Sequence, residues 1–379
     1  MQTYLDHNAT TPLDERVLDD MLPFLRLHYG NPSAVYRQGR LARQAIETAR
    51  EQVAQLVNVH PSQVVFTSGG TEANNLAIKG AVAGLNCLAV SAIEHASVMA
   101  PARQVTRGRQ LIEIAVDQHG RVSEAAMREA LAAGPDMVSV MLANNETGVV
   151  QDIPRLAGLA EEGGVLFHTD AVQAAGKIEV DFAALGVHLM SLSAHKIYGP
   201  KGAGALVFDK HLDLQPQLVG GGQEEGYRSG TENVAAIVGF GRAAELALAE
   251  LAPRQAKVAA LRHQLLQGLE RIESVVVFAR QAECLSNTVY MALPGIEGET
   301  LLMEMDRVGV AVASGSACDS RKPGSSHVLR AMGVDETLAR GAVRVSIGKD
   351  NSERDIENFL QVMNRQAKVL QDNAMLAWA

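Results

Sequence analysis

The stretch His188-Leu-Met-Ser-Leu-Ser-Ala-His-Lys196, followed by Ile-Tyr-Gly-Pro-Lys-Gly-Ala-Gly204, decides how this chain folds. The apolar run His188 to Leu192 has the length of a buried strand, and the glycine- and proline-rich stretch after it reads as a turn. A strand ending in Ser193, His195 and Lys196 sets three polar side chains at its carboxyl edge, where α/β folds place their ligands. A lysine there can form a Schiff base, and its serine and histidine neighbours can bind a phosphate. A lone loop lysine is ordinarily a solvated charge, so the surrounding sequence has to decide.

Working outward, Val64–Thr67, Leu85–Ser91, Met137–Ala143, Val165–Thr169 and Ala203–Phe208 are further short apolar runs. Several are too apolar for a half-exposed sheet and suit a mostly parallel, buried one. Helical patterns at Thr71–Ala83, Arg121–Ala133 and Ile153–Glu162 separate many of them, which predicts an α/β fold with helices covering a central sheet. A long Ala/Leu/Glu-rich helical stretch from Val234 to Ile272, interrupted near Pro253, leads to strands near Val275–Phe278, Asn287–Leu293 and Ala342–Ile347. That second part reads as a smaller α+β domain.

The same strand-end logic picks out more chemistry. In Phe66-Thr-Ser-Gly-Gly-Thr71, a strand, a small-residue turn and a helix start meet. Free N–H groups and the helix dipole make that junction an anion site, with Gly70 allowing close approach and the Thr71 hydroxyl adding a donor. It lacks the Gly-Lys-Ser/Thr ending of a P-loop, and a plain helix cap is its bland alternative. Val165-Leu-Phe-His-Thr-Asp170-Ala-Val-Gln173 ends in a carboxylate that can pair with a protonated pyridine nitrogen, which makes the ring an electron sink. Gln173 could contact the ring oxygen. With Ser193, His195 and Lys196 one unit later, this set reads as a site for pyridoxal phosphate.

His95, after Ser91-Ala-Ile-Glu, could stack on such a ring and act as acid or base. Asn145 could bond the ring oxygen or a substrate carboxylate, or be a turn residue. Arg344, in Ala342-Val-Arg-Val-Ser-Ile-Gly348, could clamp a carboxylate or be a salt-bridged sheet residue. Cys318, in Ser314-Gly-Ser-Ala-Cys318, lies in a Gly/Ser-rich loop expected to be accessible and mobile, so it is the nucleophile candidate. Cys87 sits in an apolar run and reads as a core residue, and Cys284 receives no role.

Bulk properties narrow the classes. The chain has 379 residues, 47% of them apolar and 20% charged, enough for a large core and about two domains. A net charge of −9 disfavours nucleic acid and acidic membranes as partners. No stretch approaches the ~20 apolar residues of a membrane span, and no leader pattern opens the chain. Three cysteines, without zinc-site spacing, fit a reducing cytoplasm and no metal site.

Taken together, Thr67-Ser-Gly-Gly-Thr-Glu-Ala-Asn-Asn75, Asn144-Asn-Glu-Thr-Gly-Val-Val-Gln151, Thr169-Asp-Ala-Val-Gln173, Ser193-Ala-His-Lys196, Arg228-Ser-Gly-Thr-Glu-Asn233 and Ser314-Gly-Ser-Ala-Cys318 resemble, in order, the motifs of the cysteine desulfurase family. This is the NifS/IscS type among class V aminotransferase-like, fold-type I pyridoxal phosphate enzymes. The resemblance runs from Tyr4-Leu-Asp-His-Asn-Ala-Thr-Thr-Pro12 to Gly348. It implies an arm at 1–15 packing on the small domain, a large cofactor-binding domain at 16–255, and a small domain at 256–379 carrying the cysteine loop.

It implies that Lys196 holds the cofactor and moves the Cα proton, that Asp170 and Gln173 contact the ring, and that Thr71, Ser193 and His195, beside Gly70, bind its phosphate. His95 would stack on the ring, Asn145 and Arg344 would orient the substrate carboxylate, and Thr231 would reach the phosphate of a second subunit in a homodimer. L-cysteine would become L-alanine, with sulfur passing to Cys318 and then to an acceptor such as an iron–sulfur scaffold protein. Selenocysteine lysis, transamination and a non-catalytic scaffold are the rival readings. Two features depart from the family pattern: Tyr36 stands where a histidine is common, and the chain ends soon after its last helix.

Overall fold

The computed structural model describes residues 3–81, 84, 86–314 and 325–377, with side chains to residue 369. Cys318 lies outside the described residues.

Seven strands form the central sheet, in the order Val64–Thr67, Gly204–Phe208, Leu189–Ser193, Leu166–Asp170, Met137–Ser139, Cys87–Ser91, Gln110–Ile114. The five from Leu189–Ser193 to Gln110–Ile114 run parallel, and Gly204–Phe208 is antiparallel to both neighbours. Alternate residues of one strand enter different cores. Val64 and Phe66 join one apolar cluster and Val65 the opposite one; Ala205 and Val207 join the first and Leu206 and Phe208 the second. The sheet is therefore covered on both faces, which is why its strands are apolar throughout. Helices Arg37–Leu56, Ile153–Glu162 and Val234–Ala249 line one face, and Gly70–Gly80 and Ala96–Val105 the other.

A third apolar cluster joins Leu5 of the N-terminal arm to helices Leu251–Leu269 and Glu353–Ala377 and to a four-stranded antiparallel sheet. That sheet runs in the order Ala313–Ser314, Ala342–Ser346, Thr288–Ala292, Val276–Val277. The arm is held by a parallel pairing of Thr3–Tyr4 with Val310–Ala311.

Three elements differ from the sequence reading. The long helical stretch breaks at Glu250, not at Pro253. Pro253 falls in the first turn of the next helix, where its missing N–H is not needed. The strand expected over Met137–Ala143 stops at Ser139. Beyond it the Asn144 side chain accepts from the N–H groups of Glu146 (2.9 Å) and Thr147 (3.0 Å), closing a turn. The edge strand Gln110–Ile114 was not anticipated, because its half-exposed Gln-Leu-Ile-Glu-Ile lacks the apolar run of its neighbours.

Candidate active site

The carboxyl ends of the parallel strands open into one cavity of about 540 Å³. It is lined by Thr71 and Gly70, His95, Asn145, Asp170, Gln173, Ser193, His195, Lys196 and Arg344, together with Asp6 and Asn8 of the arm and Ala313 of the small sheet. Residues from 6 to 344 thus converge on a space sized for a small cofactor and substrate. Thr231 is exposed and does not line it, and neither does Tyr36, which is also exposed.

The upper rim is built to take an anion. Helix Gly70–Gly80 begins there, so its first amides point into the cavity. The Ser193 hydroxyl oxygen is buried with no hydrogen-bond partner among the described residues. A side chain at position 70 would meet Val172 Cγ2 at 2.8 Å and Ser193 Cβ at 3.6 Å, so only glycine keeps the cradle open. Burial first, then Lys196 and Lys201, pull His195 down to about 4. At neutral pH it therefore offers an N–H rather than a charge. A helix terminus, an unpartnered hydroxyl and two more donors fit the phosphate of pyridoxal phosphate.

Asp170 lines the same cavity. Its Oδ1 accepts from Val172 N–H (3.0 Å) and its Oδ2 from Asn74 Nδ2 (2.7 Å). Asn74 also donates to Ser97 Oγ (2.8 Å), and Ser97 Oγ lies 2.7 Å from His95 Nδ1. The carboxylate at the strand end fits a pyridinium partner, and His95 sits at the same cavity.

Lys196 follows its strand on a single helical turn, Ala194–Lys196. Its Nζ donates to the carbonyls of Asn8 (2.5 Å) and Ala9 (2.7 Å). The Asn8 carbonyl also accepts from Gln173 Nε2 (2.9 Å), and Gln173 Oε1 accepts from the Lys177 ammonium (2.6 Å). The Gln173 amide is thereby held from both ends. Arg344 is salt-bridged in its sheet, the plainer of its two sequence readings, donating to Asp6 (2.7 Å) and to the Asn145 carbonyl (2.8 Å), and it also lines the cavity. Its buried Nε has no partner among the described residues.

The chain enters the Cys318 segment from Ala313–Ser314, beside Arg344 in the small sheet. It returns at Ser326, whose hydroxyl bonds Glu146, and at His327, whose Nε2 lies 2.9 Å from the Glu94 carbonyl. Of the other cysteines, Cys87 is buried and Cys284 half-buried, and burial pushes both thiols up. Neither lines the cavity.

Asn8, Asn74, Ser97 and Lys177 have roles that sequence reasoning did not assign. Asn74 had a readable signal: it lies three residues after Thr71, on the same helix face. Ser97 had another, as the third residue of a His-x-Ser helix start. Asn8 and Lys177 had none, because their partners come from distant parts of the chain.

Glu94 is fully buried beside this site, with Oε1 accepting from Ser91 Oγ (2.6 Å) and Met141 N–H (2.7 Å). Burial pushes its carboxyl up from 4.5 to about 8. The folded protein then holds a proton that the unfolded chain releases, so stability falls as pH rises from about 4.5 to 8, by about 1.4 kcal/mol per pH unit for this group. Glu94→Gln keeps the shape and the acceptor, so its urea-unfolding free energy should lack that slope relative to the native protein between pH 5.5 and 7.5.

Residues 3–359 match the family model described as aminotransferase class-V. A cysteine desulfurase IscS of Dictyoglomus turgidum is 40% identical over 370 residues, covering 96% of this chain and 94% of that protein. A solved NifS-like protein superposes with a TM-score of 0.91 at 35% identity, covering 97% of this chain and 100% of the other. A structure described as SspA in complex with cysteine superposes with a TM-score of 0.81 at 31% identity, covering 93% and 100%.

Proposed function

The chain belongs to the class-V aminotransferase family, as a cysteine desulfurase dependent on pyridoxal phosphate, and we propose how its own residues divide that work. The observation that carries the proposal is the convergence of Lys196, Asp170, Thr71, Ser193 and His195 on one cavity. When bound there, pyridoxal phosphate supplies a cationic ring that accepts the electron pair left at a substrate Cα. Asp170 would pair with the ring nitrogen and favour its protonated form. Thr71, Ser193, His195 and the amides at Gly70 would hold the phosphate. Gln173, fixed by Lys177, would contact the ring oxygen, and His95 would stack on the ring.

Arg344 and Asn145 orient the carboxylate of L-cysteine. Lys196 takes the proton from Cα, and the Asn8 and Ala9 carbonyls accept hydrogen bonds from the ammonium so formed. The Cys318 thiolate attacks the substrate sulfur. The carbon–sulfur bond breaks as a sulfur–sulfur bond forms, and protonation of the remaining carbon gives L-alanine. One sulfur atom stays on Cys318 as a persulfide, for transfer to an acceptor such as an iron–sulfur scaffold protein. Incubation with L-cysteine should give L-alanine and a Cys318 peptide heavier by one sulfur atom; absence of alanine would overturn the reading.

The large domain spans 16–255 with the arm at 1–15 docked on the small domain, whose core takes in Leu5 of the arm and apolar residues from Val258 onward. The enzyme works in the cytoplasm, a reducing compartment that suits its sparse cysteines; no helix among the described residues is long and apolar enough to cross a membrane. It is a homodimer in which Thr231 completes the partner's phosphate site. Tyr29, Val35 and Val219 are each more than four-fifths exposed, large apolar side chains that a second copy would cover. Sedimentation should show a dimer, and Val35→Asp should weaken it about tenfold or more and lower activity at dilution. A native monomer with full activity would contradict this.

A further inference from the structure

His95 is the N-cap of helix Ala96–Val105, and its Nδ1 receives the Ser97 backbone N–H at 3.2 Å. A backbone N–H cannot reverse its role, so Nδ1 must be an acceptor. The Ser97 hydroxyl supports the same polarity. Asp170 is a carboxylate acceptor, so the Asn74 atom 2.7 Å from it is the amide nitrogen. The second proton of that NH₂ goes to Ser97 Oγ at 2.8 Å. With Asn74 donating to it, the hydroxyl has its own proton left for His95 Nδ1, 2.7 Å away. Every link runs one way: Asn74 donates to Asp170 and to Ser97, and Ser97 donates twice to His95.

We propose that Ser97 and Asn74 are positioning residues that fix His95 as a neutral imidazole with its proton on Nε2. His95 then meets the reacting groups as a hydrogen-bond donor and not as a proton acceptor. This deepens the proposed function and rests on it for what the donor faces. Accepting a proton at Nδ1 would leave the Ser97 amide, in the helix's first turn, without its acceptor, and would set a cation on the positive end of that helix. Accepting one at Nε2 would require the other tautomer, which two donors at Nδ1 exclude.

The groups around the ring agree in balance. Burial, Lys196 from its strand end and His327 from the helix after the Cys318 segment disfavour the imidazolium, and Asp170 alone favours it. Glu94, next in sequence, keeps its carboxyl protonated at neutral pH and adds no charge.

The test is ¹⁵N and ¹³C histidine spectroscopy of the full-length protein, with its cofactor and after cofactor removal, from about pH 4 to 8.5, so that the protonation of His95 itself is followed. The His95 signals are assigned by their loss in His95→Gln. The native protein should show the neutral Nε2–H form from about pH 5.5 upward. Ser97→Ala removes the hydroxyl donor and should raise the pH at which His95 protonates by about one pH unit; Ser97→Thr, which keeps the hydroxyl, should behave as native. An Nδ1–H tautomer, or imidazolium at pH 6.5, in the native protein overturns the proposal without any variant. A Ser97→Ala profile identical to native removes Ser97 from it. The readout does not use turnover, so its failure leaves alanine formation intact as a separate result, and the reverse also holds.

Discussion

The Lys196→Ala variant should form L-alanine from L-cysteine about 10⁴-fold more slowly than the native enzyme, the upper range for a positioned acid–base group. The proposed function gives Lys196 two tasks, a covalent hold on the cofactor and transport of the Cα proton, and no second lysine among the described residues is placed to supply them. Lys201 lines the cavity but is exposed on the turn after the strand. Lys177 does not line the cavity and is committed to Asn8 Oδ1 (3.0 Å) and Gln173 Oε1 (2.6 Å).

The variant should still bind the cofactor, because the Gly70 cradle, Ser193 and Asp170 are untouched. It should lose the visible band of the lysine-bound form while cofactor measured after denaturation stays near one per chain. Lys196→Arg separates charge from chemistry. It keeps a cation over the Asn8 and Ala9 carbonyls but cannot form the imine, so it should be as inactive as the alanine variant. Turnover within tenfold of native in either variant would remove Lys196 from the centre of the site.

What could be read in the sequence was whatever one segment can carry. Asp170, Ser193 and Lys196 stand at the ends of apolar runs, and in a parallel sheet all such ends face the same way. Their convergence was therefore implied before any contact was seen. Gly70 and Thr71 were readable for the same reason, as the start of a helix after a strand. Asn8 was not. It is 1% exposed and bonds Thr288 Oγ1, Ser346 Oγ, the Asn145 carbonyl and Lys177 at once. Its role exists only where the arm crosses from the small sheet to the cavity.

Arg344 shows the opposite limit. Its strand and its bland reading were both legible, but that one guanidinium pairs with Asp6 and also lines the site depends on the register that sets Arg344 opposite Tyr290 and Ala313. Pro253 misled for a simpler reason: a proline breaks a helix in its middle and opens one at its start.

The second large effect falls on Cys318. Cys318→Ala should lower alanine formation about 10²–10³-fold, the scale of removing one group that acts in the transition state, while the cofactor band and its response to added L-cysteine persist. The step lost is the attack on sulfur, not proton removal from Cα, so Cα deuterium exchange into L-cysteine should continue in the variant. Cys87 and Cys284 cannot substitute. Burial holds both thiols protonated at neutral pH, and neither opens on the cavity.

The described residues on either side of Cys318 lie at or beside the site. Cys318 is four residues past Ser314, at most about 14 Å of extended chain, and Ala313 beside Ser314 already lines the cavity. The return at Ser326 and His327 is tied to Glu146 and to the Glu94 carbonyl, next to His95. Ser326 and His327 are therefore held next to Asn145 and His95, two residues that line the cavity. A lyase that releases selenide needs no such thiol, so a Cys318→Ala variant with full activity on L-cysteine would move the enzyme to that class.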